Sequence, residues 1–314
     1  MKAFYKTSFT QPNSGTYGEL PDPIADPNQL LIEVKAVSVN PIDYKLNKAN
    51  TKFLPKAKLP KIVGSDFAGI VRQAAEGDSR FKVGDRVYGA VPIYLGQAGA
   101  LVELLVTDPT NARHIPGGMS YEQAASLPVA ALTALNGLRR CGVKSGTILL
   151  INGATGGVGH FATQIAAAKG AVITASCSAP NSALAKQLGA QKTVGYQKED
   201  LTGLTGSFDA ILDAWGQMKY SDYAPLLKSG GTYASPLIMW APPLFTKLTL
   251  WFTGRKITSS NMRKHPEDYA EIEKLFFEKK LTPMIEKTFP LEQAAAAFEY
   301  AEKGKPRGKV IITL

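Results

Sequence analysis

Over the first 120 residues, hydrophobic and polar positions alternate in short stretches that glycine and proline separate. Residues 30–37 show the partial alternation that is typical of a strand with one buried face. Similar short apolar runs occur at residues 69–71, 86–88 and 100–106. Many short strands with this punctuation predict a barrel-like β domain.

The pattern changes near residue 120, where apolar strands begin to alternate with helices. Ser120 and Gln123 have the spacing of a capping box, which predicts the start of a helix. The predicted strands that follow cover residues 148–151, 171–175, 208–213 and 231–235, and the predicted helices cover residues 158–169 and 182–188. This β-α-β alternation predicts an α/β fold with a doubly wound parallel sheet.

The last part of the chain returns to a mixed pattern, and we expect it to rejoin the first domain. It contains a charged amphipathic helix at 266–280, a strand at 284–289, a helix at 291–303 and a strand at 309–314. The predicted domains are therefore residues 1–121 together with 266–314, and residues 122–265.

Composition places the chain among folded proteins of a reducing compartment. Of its 314 residues, 45% are hydrophobic and 20% are charged, which suits about two domains. The chain has only two cysteines, Cys141 and Cys177, so a disulfide scaffold is excluded. The N-terminus shows no apolar leader, and we predict a cytoplasmic location.

The net charge of +10 (36 basic and 26 acidic residues) is compatible with nucleic acid, an anionic membrane or an anionic cofactor. Because the basic residues are dispersed and no nucleic-acid module is present, nucleic-acid binding is not expected as the main role. Prolines and Lys247 interrupt the apolar stretch 237–254, so no transmembrane segment is predicted. A peripheral membrane contact stays open as a minor alternative.

A glycine-rich loop joins the strand ending at Ile151 to the following helix. Gly153, Gly156 and Gly159 lie at three-residue steps, with Gly157 as an additional glycine. Without Cβ atoms the backbone can turn sharply and approach a pyrophosphate closely, while the helix N-terminus offers N–H groups and a positive potential. The strand–loop–helix context predicts a dinucleotide site.

The residues after the second strand of this unit favour NADPH over NADH. NADH enzymes place a carboxylate about 20 residues after the glycine loop to bind the ribose 2′-hydroxyl. No Asp or Glu occurs from His160 to Lys198, and the strand instead ends at Ser176 and is followed by Ser178 and Asn181. Hydroxyl and amide groups can donate to a 2′-phosphate. An alternative interpretation is that Ser178 and Asn181 only cap a helix.

No metal site is predicted. The chain has three histidines, and they are as scattered as the two cysteines, with no C-x2-C pair and no cluster of histidine and glutamate. A G-x-S-x-G serine-nucleophile motif is also absent.

Several segments resemble the medium-chain dehydrogenase/reductase superfamily, specifically its zinc-free quinone-reductase and enone-reductase branch. The resemblance lies in residues 36–45, 64–71, 83–87 and 127–135, in the glycine loop and in residues 307–311. It covers nearly the whole chain in the family's order, and it implies a GroES-like β-barrel domain, a Rossmann domain and NADPH. Zinc-dependent relatives carry His-Glu where this chain has Ser65-Asp66, and Cys near Asn40.

The resemblance also implies roles for individual residues. Asn40 and Thr133 are expected near the nicotinamide, Ser235 near its ribose and Tyr196 by the adenosine. The implied cofactor-binding set is Asn40, Thr133, Gly153, Thr155, Gly156, Gly157, Val158, Ser176, Ser178, Asn181, Tyr196 and Ser235. Many NADPH-dependent members have Lys at the position of Asn181. Some quinone reductases have Tyr at the position of Lys45, where the enone reductases look more like this chain.

These observations predict direct hydride transfer from NADPH to a quinone or an α,β-unsaturated carbonyl. Such acceptors need less polarisation of their oxygen than a simple aldehyde does. Lys45, Tyr44 or Asn40 is expected to steady the developing oxygen charge as a catalytic group, with water as the final proton source. The alternatives are an NADPH-binding redox sensor or structural protein with little turnover, and a zinc-free alcohol dehydrogenase.

The resemblance further implies a homodimer, formed around residues 231–250. The walls of the acceptor pocket are expected to come from Phe53, Tyr94, Met239, Trp240 and Phe252.

Overall fold

Residues Met1–Val129 and Pro283–Leu314 form one structural unit, and residues Ala130–Thr282 form a second. We refer to them as unit 1 and unit 2. The structure is a computed structural model. It describes residues 1–11, 14–48, 58–93, 98–196, 201–216, 219–236, 248, 251–252, 254–262 and 265–314.

Unit 1 consists mainly of short strands, as the alternating pattern predicts. Its strands are β1 (Lys2–Lys6), β2 (Gly15–Glu19), β3 (Leu30–Ser38), β4 (Lys61–Ile62), β5 (Asp66–Gln73), β6 (Arg86–Ala90), β7 (Leu104–Thr107), β8 (Ala112–His114), β15 (Ile285–Pro290) and β16 (Lys309–Thr313). Its helices are α1 (Pro41–Lys48), α2 (Tyr121–Ser126) and α8 (Ala294–Lys303). One sheet has the order β15-β16-β3-β5-β6-β8, with β7 also paired to β3, and a smaller sheet has the order β2-β1-β4.

The core of unit 1 is formed by both ends of the chain. Ile311 and Ile312 of β16 pair with Ser38 and Val37 of β3. The C-terminal segment thus returns to the first unit, as predicted. Phe4 of β1 meets Phe298 of α8 edge to face, with ring centroids 5.5 Å apart. Such pairs add stability beyond the buried area alone.

Unit 2 is built on a parallel sheet, which confirms the predicted α/β class. Its elements are α3 (Pro128–Arg140), β9 (Ile148–Asn152), α4 (Gly159–Ala168), β10 (Val172–Ser176), α5 (Ser182–Gln187), β11 (Lys192–Val194), β12 (Phe208–Asp213), α6 (Tyr220–Tyr223), β13 (Leu227–Ser235), β14 (Lys256–Ser259) and α7 (Pro266–Phe277). The strand order is β11-β10-β9-β12-β13-β14, and every neighbouring pair is parallel. This is the 3-2-1-4-5-6 order of the Rossmann fold, whose connections reverse direction beside β9.

The boundaries between the units differ from the predicted ones. Helix α7 belongs to unit 2, because the Arg139 guanidinium pairs with Asp268 and Glu271 on α7. Helix α2 belongs to unit 1, where it packs on β3 and β5. The capping box that predicts its start is present, since the Ser120 hydroxyl accepts the backbone N–H of Gln123.

Some elements were predicted incompletely or not at all. The strand expected at 100–106 is confined to Leu104–Thr107, and helix α1 was not predicted. Helix α1 has a weak apolar pattern because Pro, Asp, Asn and two Lys interrupt it.

Candidate functional site

The glycine loop lies between the carboxyl end of β9 and the start of α4. The backbone N–H groups of Gly153 and Ala154 both donate to the Ser176 carbonyl at the end of β10, at 3.0 and 3.2 Å. The Gly156 N–H donates to the Gly153 carbonyl at 3.0 Å, which closes a tight turn. Gly153 has φ of +71°, a conformation that favours glycine. The loop is therefore held at the edge where parallel strands of this fold end and where ligands bind.

Two glycines of the loop, Gly159 and Gly156, differ in whether the fold itself requires glycine there. A Cβ on Gly159 would lie 1.9 Å from the Gly153 carbonyl oxygen, so the loop closes only if residue 159 has no side chain. A Cβ on Gly156 would have the same oxygen as its nearest neighbour, at an ordinary 3.4 Å. The fold therefore does not require glycine at position 156. Within the described part of the chain, the space over Gly156 is open, as the close approach of a pyrophosphate demands.

Side chains of α4 hold the glycine loop in place through hydrogen bonds to its carbonyl groups. Thr163 donates its hydroxyl to the carbonyl oxygens of Ala154 and Gly159, at 3.1 and 2.9 Å. His160 is fully buried, and its Nδ1 lies 2.9 Å from the Gly156 carbonyl oxygen. His160 is thus a packing residue of the helix. The ten-residue helix directs its positive N-terminal end at the loop.

The residues expected beside a 2′-phosphate follow β10. Ser176 is buried and donates its hydroxyl to the Gly195 carbonyl at 3.2 Å. Asn181 donates its Nδ2 to the Thr155 hydroxyl at 3.3 Å, which joins this segment to the glycine loop. Neither Ser178 nor Asn181 forms a side-chain cap with the helix that follows it. Both residues occupy N-cap positions, but neither side chain makes a capping hydrogen bond.

Asp213 is a buried carboxylate beside the loop that the sequence motifs did not point to. Asp213 ends β12, next to Asn152 at the end of β9, and it accepts the Asn152 Nδ2 at 2.8 Å and the Tyr233 hydroxyl at 2.8 Å. It also accepts the backbone N–H groups of Trp215 and Gly216, at 3.2 and 2.8 Å. These bonds fix the turn after β12, and this position of Asp213 at a strand end was the signal available in the sequence.

The turn after β12 places an aromatic side chain against the glycine loop. A Cβ on Gly153 would lie 2.9 Å from the Cβ of Trp215. The Trp215 ring meets the Tyr196 ring nearly edge to face, with centroids 5.1 Å apart. Tyr196, which is expected beside the adenosine, thus lies at the same edge of the sheet as the glycine loop.

Four further residues of the expected cofactor set lie in unit 2. Thr133 is buried in α3, and Ser235 is buried at the end of β13, where its carbonyl accepts the Ser260 N–H at 3.2 Å. Gly157 and Val158 are partly exposed in the loop.

The expected catalytic residues of unit 1 lie on or before α1. Lys45 is exposed, and Tyr44 is half-buried against the hydrophobic core. Burial raises the pKa of the Tyr44 hydroxyl to about 12, and Glu302 and Asp43 add to the increase, so Tyr44 keeps its proton at neutral pH. Tyr44 can therefore donate a hydrogen bond, while Lys45 offers a mobile positive charge.

Asn40 is only 2% exposed, and its amide is occupied by protein groups. Its Nδ2 donates to Asp66 Oδ2 at 2.7 Å and also lies 3.2 Å from the Ser65 hydroxyl and from the Ser38 carbonyl. Its Oδ1 accepts the Lys309 ammonium at 2.6 Å. In this arrangement Asn40 belongs to a buried polar cluster and does not present its amide to solvent.

The remaining expectations lie partly outside the described residues. Phe53, Tyr94, Met239 and Trp240 belong to segments that the structure does not describe. Phe252 is 73% exposed. Within the described ranges, no group of three or more His, Cys, Asp or Glu side chains could hold a metal ion. Nor is any described helix long and apolar enough to cross a membrane.

Two family models match the chain. An alcohol dehydrogenase GroES-like domain matches residues 26–132, and a zinc-binding dehydrogenase domain matches residues 188–312. The first match agrees with the β-rich unit 1.

Relatives along most of the chain are oxidoreductases. A mitochondrial NAD(P)H oxidoreductase of Bos taurus is 32% identical over 92% of this chain and 82% of its own length. A 2-methylene-furan-3-one reductase of Solanum lycopersicum is 31% identical over 91% of this chain and 71% of its own length. The structure of the quinone oxidoreductase from Coxiella burnetii superposes with a TM-score of 0.88 and 32% identity, covering 100% of this chain and 99% of that one.

The Rossmann strand order, the glycine loop over β9 and these full-length similarities agree with one another. The chain belongs to the medium-chain dehydrogenase/reductase superfamily, in the branch of the quinone oxidoreductases, and has its pairing of a GroES-like domain with a Rossmann domain.

Proposed function

We propose that the protein transfers a hydride from NADPH to a quinone or to the β-carbon of an α,β-unsaturated carbonyl. The observation that carries this proposal is the glycine loop. Thr163 of α4 holds it by hydrogen bonds, and the described residues leave open space over Gly156. The relatives support the reaction class, since one is named an NAD(P)H oxidoreductase and another reduces a 2-methylene-furan-3-one, which is an enone.

The residues of unit 2 fit a nicotinamide dinucleotide. The loop N–H groups and the α4 N-terminus would hold the pyrophosphate, because both direct positive potential at the open space over Gly156. Ser178 and Asn181, whose side chains are not used as caps, would hold the 2′-phosphate. No carboxylate lies among residues 160–198 to repel that phosphate, which favours NADPH over NADH. When bound, the cofactor supplies hydride from C4 of its nicotinamide.

The residues of α1 support the acceptor half of the proposal. The Tyr44 hydroxyl stays protonated and can donate to a developing enolate or quinol oxygen, and the Lys45 ammonium can stabilise its negative charge. Preorganised donors of this kind commonly lower a barrier by several kcal/mol. The final proton would come from water.

We further propose that zinc takes no part in this chemistry. At the position where zinc-dependent relatives are expected to bind the metal, Asn40, Ser65 and Asp66 supply an amide, a hydroxyl and a carboxylate. An ammonium group, from Lys309, is directed into the same cluster. Zinc sites in proteins are built mainly from thiolate and imidazole ligands, so these residues do not fit a zinc ion.

The test is the oxidation of NADPH, followed by absorbance, with a quinone, a short enone and a simple aldehyde as acceptors and with NADH in parallel. We expect turnover with the quinone or the enone, slower turnover with NADH, and little with the aldehyde. Preference for the aldehyde would favour a zinc-free alcohol dehydrogenase instead. Saturable NADPH binding without turnover on any acceptor would refute the enzymatic proposal and favour a redox sensor or structural protein.

A homodimer and a cytoplasmic location complete the proposal. Trp251 and Phe252 are 78% and 73% exposed, just before the edge strand β14, and a paired copy would cover such side chains. The relative of Bos taurus is named as mitochondrial, so location is tested by fractionation of the cells that produce this protein.

A further inference from the structure

A buried polar cluster joins three distant segments of unit 1. We define it as Asn40, Asp43, Ser65, Asp66 and Lys309. Lys309 and the two aspartates are at most 3% exposed. Lys309 donates its Nζ to the Val39 carbonyl at 2.9 Å and to Asn40 Oδ1 at 2.6 Å. Burying charged groups is unfavourable unless they are paired and hydrogen-bonded, so a cluster of this kind needs a reason within the fold.

The cluster determines which way the Asn40 amide points. Its Oδ1 faces the ammonium of Lys309, and its Nδ2 faces the carboxylate of Asp66. A flipped amide would place its NH₂ group against the ammonium and its oxygen against the carboxylate, and both contacts would be repulsive. Lys309 and Asp66 therefore favour the same orientation of the amide.

Asn40 in turn fixes the start of α1. Its backbone N–H donates to Asp43 Oδ2 at 2.8 Å, and the Asp43 N–H donates back to the Asn40 carbonyl at 2.9 Å. This reciprocal pair resembles a capping box around Pro41, in which a side chain of the first turn holds the preceding N–H group. Tyr44 and Lys45 follow directly on the same helix.

The charges of the cluster are unequal, with two carboxylates and one ammonium. Burial, with a smaller contribution from the Asp66 charge, raises the pKa of Asp43 to about 7, and the Asn40 N–H and the Lys309 ammonium oppose the increase. Burial likewise raises the pKa of Asp66 to about 6, against the opposing effect of Lys309. The charged groups that face Asp43 from the adjoining strands are Asp66 on β5 and Lys309 on β16.

We propose that Lys309 is a positioning residue of the acceptor site: through Asn40 and Asp43 it sets the start of α1 and thereby the placement of Tyr44 and Lys45. This inference rests on the proposed function for its effect on turnover. Its effect on α1 itself is independent of that function. Lys309 touches neither cofactor nor acceptor in this role.

The test compares Lys309→Met with a matched control, Lys61→Met. Lys61 is also a buried lysine of unit 1 but lies on β4 and outside the cluster. In Lys309→Met we expect faster hydrogen exchange of the amides of residues 42–48 and a fall in kcat of about tenfold or more. The Kd for NADPH should stay within about twofold, because the residues that would hold the pyrophosphate and the 2′-phosphate lie in unit 2. Lys61→Met should show neither change.

A pH profile separates positioning from a general loss of stability. Without the ammonium, the carboxyl groups of Asp43 and Asp66 bind protons more readily, so the acidic limb of kcat should move to higher pH in Lys309→Met. If Lys309→Met does not fold, Asp66→Asn gives the same exchange and kcat readouts, since it removes the other group that orients the amide.

Three results would overturn the inference. They are unchanged exchange of residues 42–48 in a folded variant, an equal loss of kcat in Lys61→Met, and an acidic limb that does not move. Absence of turnover in the unaltered protein would instead refute the proposed function, and the exchange measurement would still decide the role of Lys309.

Discussion

The glycine loop allows a comparison of two substitutions of the same size, Gly159→Ala and Gly156→Ala. The Cβ added at position 159 would lie 1.9 Å from the Gly153 carbonyl oxygen and 2.9 Å from the Ala154 carbonyl carbon. Both neighbours are backbone atoms, and the Thr163 hydroxyl ties this part of the loop to α4. Relief of the overlap must therefore move the loop or the helix. Overpacking of this kind typically costs about 1–3 kcal/mol, and we expect Gly159→Ala to reach the upper end of that range.

Gly156→Ala should leave the fold intact and weaken the binding of the cofactor. Among the described residues its Cβ would meet only the Gly153 carbonyl oxygen, at 3.4 Å, so we expect a change in unfolding free energy within about 1 kcal/mol. The same methyl group would occupy the open space that a pyrophosphate needs. We expect the Kd for NADPH to rise at least about tenfold, which corresponds to about 1.4 kcal/mol.

Urea unfolding followed by circular dichroism measures the first effect, and titration of NADPH fluorescence measures the second. The two variants should separate, with stability lost in one and affinity lost in the other. A folded Gly156→Ala protein that binds NADPH as tightly as the unaltered chain would refute the assignment of the loop to the pyrophosphate. An unchanged stability of Gly159→Ala would contradict the close backbone approach.

Four further outcomes are expected. Asn181→Lys should tighten NADPH binding several-fold and Asn181→Asp should weaken it while sparing NADH, as measured by the ratio of the two Kd values. Lys45→Met should lower kcat about tenfold with a quinone or enone at saturating NADPH, and unchanged turnover would remove Lys45 from the site. The folded Asp43 carboxyl, with its pKa raised to about 7, binds a proton that the unfolded chain, at 3.8, releases. Stability therefore falls as pH rises from about 4 to 7, by up to about 1.4 kcal/mol per unit, and Asp43→Asn should flatten this slope in urea titrations at several pH values. Light scattering should give twice the 33.7 kDa chain mass, and Trp251→Asp should shift it to the monomer mass.

The parallel sheet and the glycine loop were predictable because local signals specify them. Short, fully apolar runs such as 148–151 are typical of strands buried on both faces, and the three-residue glycine spacing follows this one directly. The spacing did not distinguish the glycines, however. The fold requires glycine at position 159 but not at position 156. This difference depends on the distances from the two positions to the Gly153 carbonyl oxygen, which are set only once the loop has closed.

The buried cluster of unit 1 was not predictable in the same way. Lys309 opens an apolar strand, where a lysine ordinarily extends to solvent, and Asp43 lies in a short, polar helical segment. Their burial depends on β3, β5 and β16 coming together, which is a non-local event. The domain boundary near residue 266 was placed wrongly for a related reason, because α7 joins unit 2 through non-local contacts, which include its ion pairs with Arg139.

The pairing of β16 with β3 has a consequence for the order of folding. Residues 130–282 of unit 2 are synthesised as one continuous segment, whereas the large sheet of unit 1 stays incomplete until β15 and β16 have emerged. Until then residues 36–38 of β3 lack the strand that pairs with them, and Asp66 and Asp43 lack the ammonium of Lys309. During synthesis, β3 can therefore complete its pairing only after β16, near the end of the chain, has emerged. Until that point the unpaired part of β3 can pair with a wrong strand.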